Sequence, residues 1–179
     1  MKNAPTLKTA MNYGAISGIV TFLFLMVLLA MGVNPLGPAS WVCSWVPIVF
    51  IVKATIYYRD HENGGSLNYV GGLQIGFMTE FFGGLLLTLL IYLVGKVGSP
   101  NLFSDYISDS LAKIQREDVR KLTEQIIGEA TYEKSIESLQ NLTFSAFLYS
   151  EFLWKTFGGF LISLFTALIF KHKAPSTNA

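Results

Sequence analysis

YVGGLQIGFMTEFFGGLLLTLLIYLVG, residues 69–95, is the stretch on which the fold turns. It exceeds the roughly 20 apolar residues that cross a hydrocarbon core, yet it holds five glycines before Leu85 and one carboxylate, Glu80. On a helix Gly72, Gly76, Glu80, Gly84 and Thr88 recur every four residues and share one narrow face. Small side chains at that spacing admit a second helix at close range, and an acid inside a membrane needs a partner. The other apolar segments are then read as what packs against this face.

Of the 179 residues, 51% are hydrophobic and 14% charged, and the apolar ones come in long blocks. Span-length windows occur at Tyr13–Met31, Trp41–Tyr57, Tyr69–Gly95 and Phe152–Phe170. The expectation is an all-α integral membrane bundle of four transmembrane helices, at about residues 12–32, 41–58, 69–96 and 146–171. Residues 99–142 repeat apolar side chains at helical spacing (Phe103, Ile107, Leu111; Val119, Leu122, Ile126; Tyr132, Ile136, Leu139). They predict an amphipathic insertion of two or three short helices between the third and fourth spans, interrupted near Gly128 and Thr131. A formal net charge of +1 offers no footing for nucleic acid. Cys43, the only cysteine, allows neither an internal disulfide nor a cysteine-based zinc site, and a buried inert thiol is expected.

The polar start Met1–Met11 leads into an apolar run too long for a signal-peptide core, so an uncleaved first helix is expected. Gly14 and Gly18 form a GxxxG pair on it, with Ser17 and Thr21 nearby. Pro47 should kink the second helix. Lys2, Lys8, Lys53, Arg59, Lys171 and Lys173 fall on one side of a four-span topology, which places both termini in the cytoplasm and the insertion outside. Asp60, His61 and Glu62 are adjacent and point in different directions, so 59–68 reads as a solvated loop and no metal site is expected. Asn141–Leu142–Thr143 matches a glycosylation sequon, and the tail from Lys171 reads as frayed.

One intramembrane constellation stands out. Helical rise places Glu80 roughly 5–10 Å to the cytoplasmic side of the bilayer centre, with Lys53, Ser17 and Thr21 at similar depth. Glu80 is therefore expected to pair with Lys53, either to fix helix register or as a proton- or ion-responsive site. On the fourth helix Glu151 and Lys155 form an i, i+4 pair near the outer boundary, and Gly159 and Ser163 continue a small-residue stripe. No nucleophile–base arrangement or nucleotide-binding motif is found, so an enzyme is not expected, nor a cofactor.

APTLKTAMNYGAISGIV, VPIVFIVKATIYYRDHENGGSLNYVGGLQIGF and the Gly83–Gly84 pair resemble the bacterial membrane family DUF 4199. The likeness is strongest over Tyr57–Phe77, where YYRDxENGG is followed by a Tyr and a GLxxGF element. The resemblance implies a four-helix protein of the bacterial inner membrane with a variable segment before its last helix, and supplies no catalytic residues. It also implies a shared structural core at Arg59–Gly65 and Gly71–Phe77. Function is then expected to be non-enzymatic, a scaffold or accessory subunit bound to the bilayer and to a membrane-protein partner or a second copy. The alternative is a small dimeric carrier or channel component built on Glu80 and Lys53.

Overall fold

The computed structural model describes residues 4–172, in which seven α-helices follow one another without a strand. They are α1 (Ala4–Ala30), α2 (Trp45–Tyr57), α3 (Tyr69–Leu93), α4 (Leu102–Ile114), α5 (Glu117–Ile127), α6 (Glu129–Gln140) and α7 (Phe144–Phe170). With their flanking turns, α1, α2, α3 and α7 are each long and apolar enough to cross a membrane. Lys2 and Lys173, two of the six basic residues used for orientation, lie outside the described residues.

Local chemistry sets the helix ends. Asn68 caps α3 by accepting from the Gly71 N–H at 2.7 Å, and Thr143 caps α7 by accepting from the Ala146 N–H at 3.2 Å. The threonine of the sequon thus serves as a helix cap. Pro47 does not kink α2. A 3₁₀ turn (Pro38–Cys43) precedes the helix, which starts at Trp45, so the proline sits in the first turn where its missing N–H costs no hydrogen bond. Single π-helical turns extend α2 to Glu62 and α3 to Gly98. Gly128, at φ +83°, separates α5 from α6, while Thr131 lies inside α6.

Helix α3 makes its main interfaces with α1 and α7, and α2 packs across all three. Two different faces of α3 are used. Gly14 and Gly18 of α1 meet Gly83, so closely that a Cβ on Gly14 would stand 2.5 Å from the Thr79 carbonyl oxygen. The stripe read from the sequence faces α7 instead: Gly72 lies against Ala167, Gly76 against Ser163, Glu80 against Gly159 and Gly84 against Phe152. Small residues thus let two neighbours approach one helix at once.

The end that carries Ala4 and His172 is tied by polar links. Thr9 donates to Glu62 at 2.6 Å, Thr6 to the Tyr58 hydroxyl at 3.1 Å, and Leu67 and His172 exchange both backbone bonds at 2.8 Å. The segment expected as a solvated loop is exposed over residues 60–64 and also serves as a joint between α1, α2 and α3, while the tail beyond His172 lies outside the described residues.

Candidate functional site

Glu80 is 5% exposed, its side chain laid against Gly159 of α7. No side chain or backbone N–H among the described residues donates to its carboxyl, and it enters none of the five ion pairs found there. The expected partner is elsewhere. Ile51, Ala54 and Thr55 take the inward face of α2, which leaves Lys53 exposed on the far side. Depth along the span placed the two charges level, but the rotation of α2 keeps them apart. Ser17 and Thr21 are buried on α1, where Thr21 donates to the Ser17 carbonyl at 2.9 Å and neither reaches Glu80.

The cation whose charge acts on Glu80 is Lys155, on α7. Its Nζ bonds Glu151 Oε2 at 2.8 Å, one turn further from Glu80. This geometry follows from helix direction. Side chains lean toward the N-terminus of their own helix, and α3 and α7 run antiparallel, so Lys155 leans toward Glu151 while Glu80 leans the other way. Glu151 and Lys155 line a crevice of about 30 Å³, enough for a single water, together with Leu25, Leu87, Thr88 and Phe147.

Thr156 adds a second feature, one without a signal of its own in the sequence. Four buried hydroxyls of the long helices, those of Thr21, Thr55, Thr79 and Ser163, bond back to the carbonyl four residues earlier at 2.6–2.9 Å. Thr156 Oγ1 is buried without any partner. It shares the stripe of Phe152, Gly159 and Ser163 that faces α3. An unpaired acid and an unpaired hydroxyl therefore occupy the same α3–α7 interface. The only signal in the sequence was a threonine on the inward stripe, and it cannot be distinguished there from its satisfied neighbours.

A second candidate lies at the opposite end from Ala4 and His172. There α4 rests on the start of α7: Phe103 lies 5.3 Å from Phe144 and 5.7 Å from Phe147, and Tyr106 lies 4.9 Å from Phe147. Asn34 Nδ2 donates to the Leu102 carbonyl at 3.0 Å, which ties the turn after α1 to the same place. Tyr132 and Ile136 of α6 are buried, and the Arg120 guanidinium lies over the Tyr132 ring at 5.6 Å. Helix α5 buries no residue. Its polar face is laced by Lys121–Glu117 and Arg120–Glu124, both at 2.6 Å, while Leu122 and Ile126 on the other face stay 58% and 72% exposed. Arg116 grips Asp118 with two hydrogen bonds and holds its carboxyl below the usual aspartate range.

No group of three or more His, Cys, Asp or Glu side chains converges among the described residues in a way that would hold a metal ion. No curated protein and no solved structure matches the chain. A family model does match, described as "Protein of unknown function (DUF4199)", over residues 12–172. That range takes in α1 from residue 12 onward, all of α2, α3 and α7, Glu80 and the α4–α6 segment, and the chain belongs to the DUF4199 family.

Proposed function

We propose that the chain is a multi-pass protein of the bacterial inner membrane with both termini cytoplasmic. It acts without catalysis, as a scaffold or accessory subunit that holds another membrane protein through α4–α6 outside the membrane. The observation that carries this reading is α5: a helix with no buried residue and an unused apolar stripe of Leu122 and Ile126, beside the exposed Ile127. Lys8, Arg59 and Lys171 at the opposite end support the orientation. The bilayer covers the exposed apolar sides of α1, α2, α3 and α7, and no cofactor or nucleic acid takes part.

The test is a photo-crosslinking residue at Ile126 in native membranes, with one at the polar-face Glu124 for comparison. A single partner protein captured from 126, and lost when Leu122 and Ile126 are both replaced by Glu in a chain that still folds, supports docking through α5. Adducts with lipid alone, or identical adducts from both positions, refute it. Adducts only with a second copy shift the balance to the carrier reading. That alternative, a dimeric carrier or channel component, loses Lys53 because the side chain is exposed away from Glu80, and keeps Glu80 itself.

A further inference from the structure

Glu80 and Lys155 stand within electrostatic reach and do not bond; Lys155 is paired with Glu151, and Glu80 is left without a partner. Gly159 is what brings them near. It lies against Glu80, and Lys155 is four residues away on the same helix, a rise of about 6 Å. A lysine stem spans a comparable distance, so a Lys155 side chain swung toward the C-terminus of α7, against its usual lean, brings Nζ from the Glu151 level to the Glu80 level. Glu151 is 42% exposed at its side chain and stays hydrated if Lys155 leaves it. Glu80 has no such recourse: an unpaired carboxylate at that depth is far costlier than an unpaired carboxylic acid.

We propose that Glu80 is a proton-binding site coupled to a two-position lysine. With a proton on Glu80, Lys155 stays on Glu151, the bond that the structure shows. When Glu80 releases that proton to external water, the Lys155–Glu151 bond breaks and a Lys155–Glu80 ion pair forms in its place. The net charge of the protein falls by one, Lys155 stays cationic throughout, and no other reactant is involved. The Thr156 hydroxyl, free of any partner and on the same stripe, is placed to take a hydrogen bond in the changed arrangement. Every element packed on α3 agrees with this assignment: α7 presents Lys155, with Glu151 behind it. The buried side chains of α1 here are Ser17 and Thr21, and Lys53 of α2 is turned away. The coupling is independent of whether α5 docks a partner.

Infrared difference spectroscopy on the full chain in lipid nanodiscs, between acidic and alkaline buffer, reads the proton directly. The expected result is a protonated-carboxyl C=O band that disappears as pH rises and is absent from Glu80→Gln. Glu80→Asp should keep a band at shifted frequency, which guards against a Gln variant that fails to fold. Two neighbours on one helix must then act in opposite directions. Lys155→Met, which removes the competing cation, should raise the proton affinity of Glu80 about tenfold or more. Glu151→Gln, which frees the lysine, should lower it, and Lys155→Arg should restore the wild-type response. No Glu80 band at any pH, or a band equally placed in Lys155→Met and Glu151→Gln, overturns the proposal.

Discussion

Replacing Gly14 with Ala tests the closest approach of a described glycine to the backbone of another helix. The new Cβ would stand 2.5 Å from the Thr79 carbonyl oxygen and 3.0 Å from the Gly83 nitrogen. Both are backbone atoms in the middle of α3, so neither can rotate aside. Moving from 2.5 Å to the 3.4 Å where ordinary contact begins would part α1 and α3 by about 0.9 Å. A gap of about that size forfeits a quarter to a half of each dispersion contact around it. Overpacking of this kind costs about 1–3 kcal/mol, and the better helix propensity of alanine returns about 0.5–1 kcal/mol. The net expectation is a loss of about 1–2 kcal/mol. Gly158→Ala is the control, because a Cβ there meets nothing within 4 Å, and its effect should be neutral or slightly stabilising. Equilibrium unfolding in mixed micelles, titrated with a denaturing detergent and followed by circular dichroism, compares the two. Equal stabilities for the two variants would show that glycine contact does not set the α1–α3 approach.

Thr9→Val removes the 2.6 Å bond to Glu62 and should cost about 1 kcal/mol in the same assay, since the exposed carboxylate regains water; Thr9→Ser should restore it. Asp118 should titrate below an ordinary aspartate by NMR and move up in Arg116→Gln. Its folded pKa is depressed, so what the pair adds is present in full above the unfolded aspartate pKa and is lost as pH falls through the lowered value. A normal titration midpoint for Asp118 would contradict the grip seen here.

Periodicity carried the architecture far. The four apolar runs, the amphipathic pieces between the third and fourth, and the four-residue stripe of α3 are all one-dimensional patterns, and helices express such patterns directly. What a pattern cannot hold is rotation between helices. Glu80 and Lys53 were matched by depth alone, and α2 turns Lys53 away because Ile51, Ala54 and Thr55 claim the inward face. Pro47 departs from expectation for a related reason: its effect depends on where the helix begins, and the 3₁₀ turn ahead of Trp45 has no clear signature in the sequence. The joint of Thr9 with Glu62 and of Leu67 with His172 links residues far apart in the chain, which short windows do not compare. Gly83 could have been found. It lies one residue off the stripe, on the face that Gly14 and Gly18 need.

The two ends of the long helices are held by different forces, and the site lies between them. At the terminal end directional bonds dominate: Thr9 to Glu62, Thr6 to Tyr58, and the paired backbone bonds of Leu67 and His172, with Tyr13 and Tyr57 packed at 5.6 Å. Each fixes a geometry and fails abruptly when displaced. At the other end α4 leans on Phe144 and Phe147 through Phe103 and Tyr106, with Asn34 to Leu102 the one hydrogen bond from the turn after α1. Aromatic contacts of this type tolerate sliding, because offset and tilted arrangements differ little in energy. Lys155 and Glu151 line the crevice beside Phe147, on the tolerant side of Glu80. A change of charge at Glu80 therefore meets resistance toward the terminal joint and compliance toward α4. The helix at that compliant end, α4, adjoins α5, whose apolar face is unused.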